Sequence, residues 1–153
     1  MFEIKKILVP IDFSENSAKV VDFACDLAGK LKADLSIVHV VPSLQAYEGF
    51  VIPHISMGEF EEDMQKSAQA KMDDFVEEHI PSSETYTNRV EVGDVADTIK
   101  YIADEEGFDL IVMGTHGYKG IEHAFFGSVA ERVVKTSSCP VLTINPYKLK
   151  GSQ

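Results

Sequence analysis

The chain has 153 residues, 44% of them hydrophobic and 25% charged, with 14 Lys and Arg against 25 Asp and Glu for a net charge of −11. This length and composition imply one globular domain with a sizeable core and exclude disorder as the main state. The acidic balance, with no basic patch or stripe, argues against a nucleic-acid partner and against anionic membrane surfaces.

Ile7–Pro10 (ILVP) is a short continuous apolar run, the signature of a strand buried on both faces. It is too short for a signal-peptide core of roughly 7–15 residues, and no run reaches the about 18 needed to span a membrane. The expectation is a cytoplasmic protein. Asp12 to Glu15 reads D-x-x-E, with Ser14 as a second capping candidate, and opens a helix to about Lys32 through Ala18, Val21, Cys25, Ala28 and Leu31. Leu35–Val41 is a second buried strand ended by Pro42. Residues 42–58 carry prolines and glycines with no period and read as a long loop. Phe60, Met64, Ala68, Phe75 and Val76 mark a second helix over Glu59–His79, with its acidic runs as the solvated face.

Thr85–Val92 reads as a third strand, and Asp94 as the N-cap of a helix carried by Val95, Ile99 and Ile102 to Gly107. Leu110–Met113 is a fourth buried strand, Ser128 with Glu131 forms a capping-box signal for a fourth helix, and Pro140–Ile144 is a fifth strand. Strand–helix alternation throughout implies right-handed βαβ units and a parallel sheet with helices on both faces. The domain is expected over 1–146, with a frayed tail over 147–153.

In such sheets ligands bind beyond the carboxyl ends of the strands, at a topological switch point. The segment GTHGYKGIEHAFFGSV after the fourth strand is the richest candidate. Gly114, Gly117 and Gly127 allow close approach of backbone to a ligand, and Gly127-Ser128 sits at a helix start, where N–H groups and the dipole favour phosphate. His116, Lys119 and His123 are possible phosphate-side contributors. Plainer readings stand beside these: loop glycines as turn chemistry, Ser128 and Asp12 as caps, and His39 as a satisfied core histidine. The two cysteines, Cys25 and Cys139, read as reduced core thiols, and neither they nor His54 and His79 show metal-ligand spacing. No P-loop, no G-x-G-x-x-G after the first strand, no G-x-S-x-G elbow and no H-x-x-x-H pair is present.

The spacing G-x2-G-x9-G-[ST], filled by Gly114, Gly117, Gly127 and Ser128, resembles that of the universal stress protein family. So do KKILVPIDFSENS, IVHVV, EVGDVADTIKYIADEEGFDLIVMGTHG and GSVAERVVKTSSCPVLTI, in that order along nearly the whole chain. The resemblance implies the α/β fold class of the adenine nucleotide alpha-hydrolase-like proteins, a single-domain five-stranded parallel sheet of order 3-2-1-4-5. It further implies the ATP-binding branch of the family. Pro10 and Ile11 would lie at the site, Asp12 would hydrogen-bond the ribose, and Val40 backbone would read the adenine edge. Met113 and Gly114 would line the sugar, and Gly117, Gly127, Ser128 and Val129 would hold the phosphates. ATP, ADP or AMP is the expected ligand, with Mg²⁺ or Mn²⁺ carried by the phosphates rather than by a protein cage. Val141, Leu142, Thr143 and Ile144 would form a homodimer strand. The expected function is a stress-response or signalling module with a protein partner that the sequence does not identify. The rival readings are a slow ATPase or nucleotide-transfer enzyme, for which no general base is evident, and a nucleotide-free dimeric interaction module.

Overall fold

Ile7, Leu8 and Val9 are fully buried, so the first strand must be covered on both faces. The computed structural model, which describes residues 1–47, 56–116 and 127–149, shows how. Its elements are β1 Lys6–Pro10, α1 Glu15–Leu31, β2 Asp34–Pro42, α2 Met57–His79, β3 Tyr86–Gly93, α3 Val95–Glu105, β4 Leu110–Gly114, α4 Ser128–Thr136 and β5 Val141–Ile144, with a 3-10 turn at Leu44–Tyr47. The strands form one parallel sheet of order β3-β2-β1-β4-β5, as expected.

Strand alternation sorts the side chains into two cores. Ile7, Val9, Ile37, Val41 and Val112 face α1 and α2, where Val21, Ala24, Cys25, Ala68, Met72 and Val76 meet them. Leu8, Val38, Val40, Ile111 and Met113 face Ala96, Ile99, Ile102, Ala103, Ala130 and Val133 of α3 and α4. Burial pushes the Cys25 thiol up to about 11 and raises Cys139 above its ordinary value, so both are inert thiols within these cores.

Several helix details differ from the sequence reading. Leu31 is 42% exposed and Phe60 46% exposed, whereas Met72, absent from the expected face, is fully buried. The helix α2 begins at Met57 rather than Glu59, with Ser56 Oγ accepting from Glu59 N–H at 3.4 Å. Of the expected 42–58 loop, Pro42 completes β2, and residues 48–55 lie outside the described set. The tail does not fray at once: Lys148 N–H donates to Asn145 O at 3.1 Å, Tyr147 N–H to Asn145 Oδ1 at 3.0 Å, and Leu149 packs on the α1–α2 core. Asp94 caps α3 as expected, accepting from Asp97 N–H at 3.0 Å.

β1 and β4 are pinned at their amino ends, where Asp109 Oδ2 accepts from the Lys5 and Lys6 N–H groups at 2.9 and 3.0 Å. Their register runs only through Ile7↔Leu110 and Leu8↔Ile111, while β1–β2 pairing continues to Pro10↔Val38. The cause lies in the backbone. Asp34 N–H donates to Lys5 O and Ile11 N–H to Val38 O, so odd positions of β1 face β2; Asp109 N–H donates to Lys6 O, so even positions face β4. Pro10 is the next even position after Leu8, and it has no N–H to donate. The sheet therefore opens between β1 and β4 at its carboxyl end.

Because Met72 is fully buried between α2 and the sheet, Met72→Ala is expected to lower unfolding free energy by about 2–5 kcal/mol in urea denaturation. Phe60→Ala, on the exposed side of the same helix, is expected to change it by less than about 0.5 kcal/mol. Equal losses would show that the packing of α2 is wrong.

Candidate functional site

Five backbone features meet at the opened end of the sheet: the ends of β1, β2 and β4, and the starts of α1 and α4. On the β1 side, Asp12 Oδ1 accepts from Ser14 N–H at 3.0 Å and from Ser17 Oγ–H at 2.8 Å, and Asp12 N–H donates to Ser17 Oγ at 3.2 Å. This Asx-type turn fixes the carboxylate just ahead of α1. Asp12 is not the helix cap; Ser14 holds that position, with no side-chain cap bond. Phe13 between them has φ of +61°, a left-handed conformation costly for a bulky residue. Strain of this kind costs roughly 1–3 kcal/mol and persists only where the surroundings over-determine it. Here they do: the Phe13 ring lies 4.3 Å from the His39 ring and 6.1 Å from that of Phe75.

On the β4 side, Met113 is 5% exposed and pairs with Thr143, and Gly114 ends the strand opposite Ile144. A Cβ on Gly114 would lie 3.2 Å from Val20 Cγ2 and 3.4 Å from His116 O, so this turn packs tightly on α1. Thr115 is the hub that the sequence reading missed. Its N–H donates to Ile144 O at 2.8 Å, and its carbonyl accepts from Gly127 N–H at 2.6 Å. These two bonds tie the ends of β4 and β5 to the start of α4. They are backbone interactions and leave no side-chain signal in a sequence.

Gly127, not Ser128, is the N-cap of α4, with φ of −70° and ψ of 156°. Among the described residues no side chain caps this helix; Gly127 O accepts from Glu131 N–H at 3.0 Å, and Ser128 is the exposed first helical residue. The capping box expected from Ser128 and Glu131 is thus displaced, because the Thr115–Gly127 bond sets the entry one residue earlier. The α4 N-terminus has no side-chain cap among the described residues, and a helix start of this kind is suited to anions. Val129 packs partly on the α3–α4 core.

The remaining expected residues divide. Pro10 and Ile11 stand at the lip of the crevice, Ile11 with its N–H on Val38 O at 2.9 Å. Val40 is buried at 4% exposure, opposite Glu91 of β3. His116, expected on the phosphate side, is instead buried, with Nδ1 2.7 Å from Thr115 Oγ1 and its ring edge-on to Tyr147 at 5.2 Å. It braces the turn from within. Gly117, Lys119 and His123 lie outside the described residues. In β5, Leu142 is 37% exposed and Ile144 6%, and β5 is a sheet edge. Among the described residues no group of three or more His, Cys, Asp and Glu could hold a metal, and no helix is long and apolar enough to cross a membrane.

Sheet order, crevice and glycine turn define a doubly wound α/β protein with its candidate site at the β1–β4 switch point. Comparison with known proteins gives the family. Residues 3–145 match the universal stress protein family model, and the chain belongs to that family. It is 33% identical to universal stress protein YxiE of Bacillus subtilis over 148 residues, covering 91% of this chain and 97% of that protein. Its fold superposes on the solved structure of MJ0577, a universal stress protein of Methanocaldococcus jannaschii, with TM-score 0.77 and 29% identity, covering 97% of this chain and 98% of that one. A universal stress protein solved in complex with cAMP superposes with TM-score 0.59 at 25% identity, covering 94% of this chain and 98% of that one.

The tight fit at Gly114 gives a test. Gly114→Ala is expected to destabilise the protein by about 1–3 kcal/mol, because Val20 must move. In a Val20→Ala background the same substitution is expected to cost measurably less. Identical costs in the two backgrounds, read by chemical denaturation, would place the strain elsewhere.

Proposed function

We propose that this protein binds an adenine nucleotide, ATP foremost with ADP or AMP as variants, in the crevice between the carboxyl ends of β1 and β4. It serves as a stress-response or signalling module of the cytoplasm and works as a homodimer through β5. The observation that carries the reading is the opening of the sheet at Pro10, flanked on one side by the fixed Asp12 carboxylate and on the other by the start of α4 at its N-cap Gly127. An acidic protein of net charge −11 repels a polyphosphate at long range, so the donors must be local. Backbone N–H groups at Ser128 and Val129, with Gly117 from the intervening loop, are such donors; the Gly127 N–H is held by Thr115 O, and Gly127 serves by letting the phosphates approach the helix start. The structure of a relative in complex with cAMP supports an adenine ligand on this fold.

In this reading Asp12 hydrogen-bonds the ribose, Val40 backbone reads the adenine edge, and Met113 and Gly114 line the sugar. Lys119 and His123 add positive charge on the phosphate side. Mg²⁺ or Mn²⁺ arrives with the phosphates, and the protein supplies no cage of its own. The edge strand Val141–Ile144 pairs with its copy, which removes an open row of backbone donors and acceptors from solvent.

A ligand of the native state raises stability by mass action, by about 2.7 kcal/mol at a hundredfold excess over Kd. Saturating Mg²⁺-ATP is therefore expected to raise the thermal midpoint by several degrees, and Asp12→Ala and Gly127→Val to abolish the shift. A midpoint unmoved by ATP, ADP and AMP in the unmodified protein would reject the reading and leave a nucleotide-free interaction module.

A further inference from the structure

On the face of the sheet opposite Val40 and Met113, an open groove of about 350 Å³ lies between the end of β2, the β1–α1 turn and α2. That volume falls within the range of roughly 300–1,000 Å³ typical of small-molecule sites. Its walls are largely apolar: Phe13, Val41, Met64 and Ala68. Four polar side chains interrupt them: His39, Asp63, Ser67 and Lys71. His39 Nδ1 lies 2.8 Å from Ile11 O, and since a carbonyl only accepts, Nδ1 carries the hydrogen. Burial holds His39 below its ordinary pKa, so the ring is neutral at pH 7 and Nε2 is a hydrogen-bond acceptor. Lys71 is exposed at the rim and makes no ion pair among the described residues. Asp63 also lines the groove, but eight residues earlier on α2, about 12 Å away along the helix axis. The groove therefore offers an acceptor and a cation near one end and a carboxylate at the other.

We propose that this groove is a second small-molecule site, for a planar aromatic compound bearing one hydroxyl and one carboxylate, and that its occupancy is felt in the nucleotide crevice. The ring packs against Phe13, Val41 and Met64, the hydroxyl donates to His39 Nε2, and the carboxylate pairs with Lys71. Asp63 turns away a second negative charge. The coupling, which rests on the nucleotide reading above, follows from the chain: Phe13 adjoins Asp12, His39 adjoins Val40, and the His39–Ile11 bond joins the two segments. A ligand that shifts the Phe13 ring bears directly on a backbone already held at positive φ.

The test uses 6-hydroxy-2-naphthoate as the probe, titrated into the full chain without nucleotide and followed by ¹H–¹⁵N NMR. Saturable shifts are expected at Phe13, His39, Val41, Met64, Ser67 and Lys71. Lys71→Glu, on an exposed helix face, should weaken binding several-fold, and Ala68→Leu should occlude the groove. Absence of saturation, or equal affinity in the unmodified protein and both variants, would overturn the site. A second titration measures AMP affinity by calorimetry with and without saturating probe. At least a threefold change is expected, and an unchanged Kd would overturn the coupling. Where AMP does not bind, Mg²⁺-ATP replaces it in the same titration, and failure of AMP, ADP and ATP alike would reject the nucleotide reading and leave the probe result standing on its own.

Discussion

One missing hydrogen-bond donor organises the end of this sheet. A parallel strand offers its backbone groups alternately to its two neighbours, and in β1 the even positions face β4. Pro10 stands where the next bond to β4 would form. Below it, Asp109 and the Ile7 and Leu8 register hold β1 and β4 together; above it, the two strands go to different partners, β1 to β2 and β4 to β5. The crevice is thus a consequence of strand order and one imino acid. Everything placed at its rim inherits the rigidity of a sheet whose central members are fully buried.

The two sides of the crevice are held by different means. On the β1 side, side chains do the work: Ser17 and the Ser14 N–H fix the Asp12 carboxylate, and aromatic packing holds Phe13 at positive φ. On the β4 side the backbone does it, through Thr115 to Ile144 and Gly127. His116 and Tyr147 then fill the space behind the turn. This division explains why the carboxyl-terminal segment through Leu149 belongs to the folded unit: its turn packs against the residues that aim α4.

Much of the fold could be read from the residues. Ile7–Pro10, Leu35–Val41 and Leu110–Met113 are apolar runs that only a doubly covered strand accommodates, and strand–helix alternation then leaves few topologies. The location of the candidate crevice was legible from the strand order, and Asp12 at its rim from its place just after the first strand. The site was not legible where backbone bonds decide. Ser128 and Glu131 have the right types for a capping box, but the Thr115–Gly127 bond moves the cap to Gly127. His116 reads as a phosphate-side contributor from its place in the glycine-containing segment after β4; its ring lies edge-on to Tyr147, thirty-one residues away, a contact that no local pattern signals. Phe60 and Met72 were misassigned because the acidic α2 has a weak apolar stripe, and only the sheet decides which turn it covers.

A nucleotide bound as proposed enters the opening made at Pro10, between Asp12 and the start of α4. The most direct measurement is a ¹H–¹⁵N NMR titration of the full chain with Mg²⁺-ATP. Saturable shifts are expected to cluster at Ile11, Asp12, Val40, Gly114, Gly127, Ser128 and Val129, with the edge strand β3 and the C-terminal turns of α1 and α2 unmoved. Saturable binding whose shifts cluster on another face, or no saturation at millimolar nucleotide, would contradict that mode of binding.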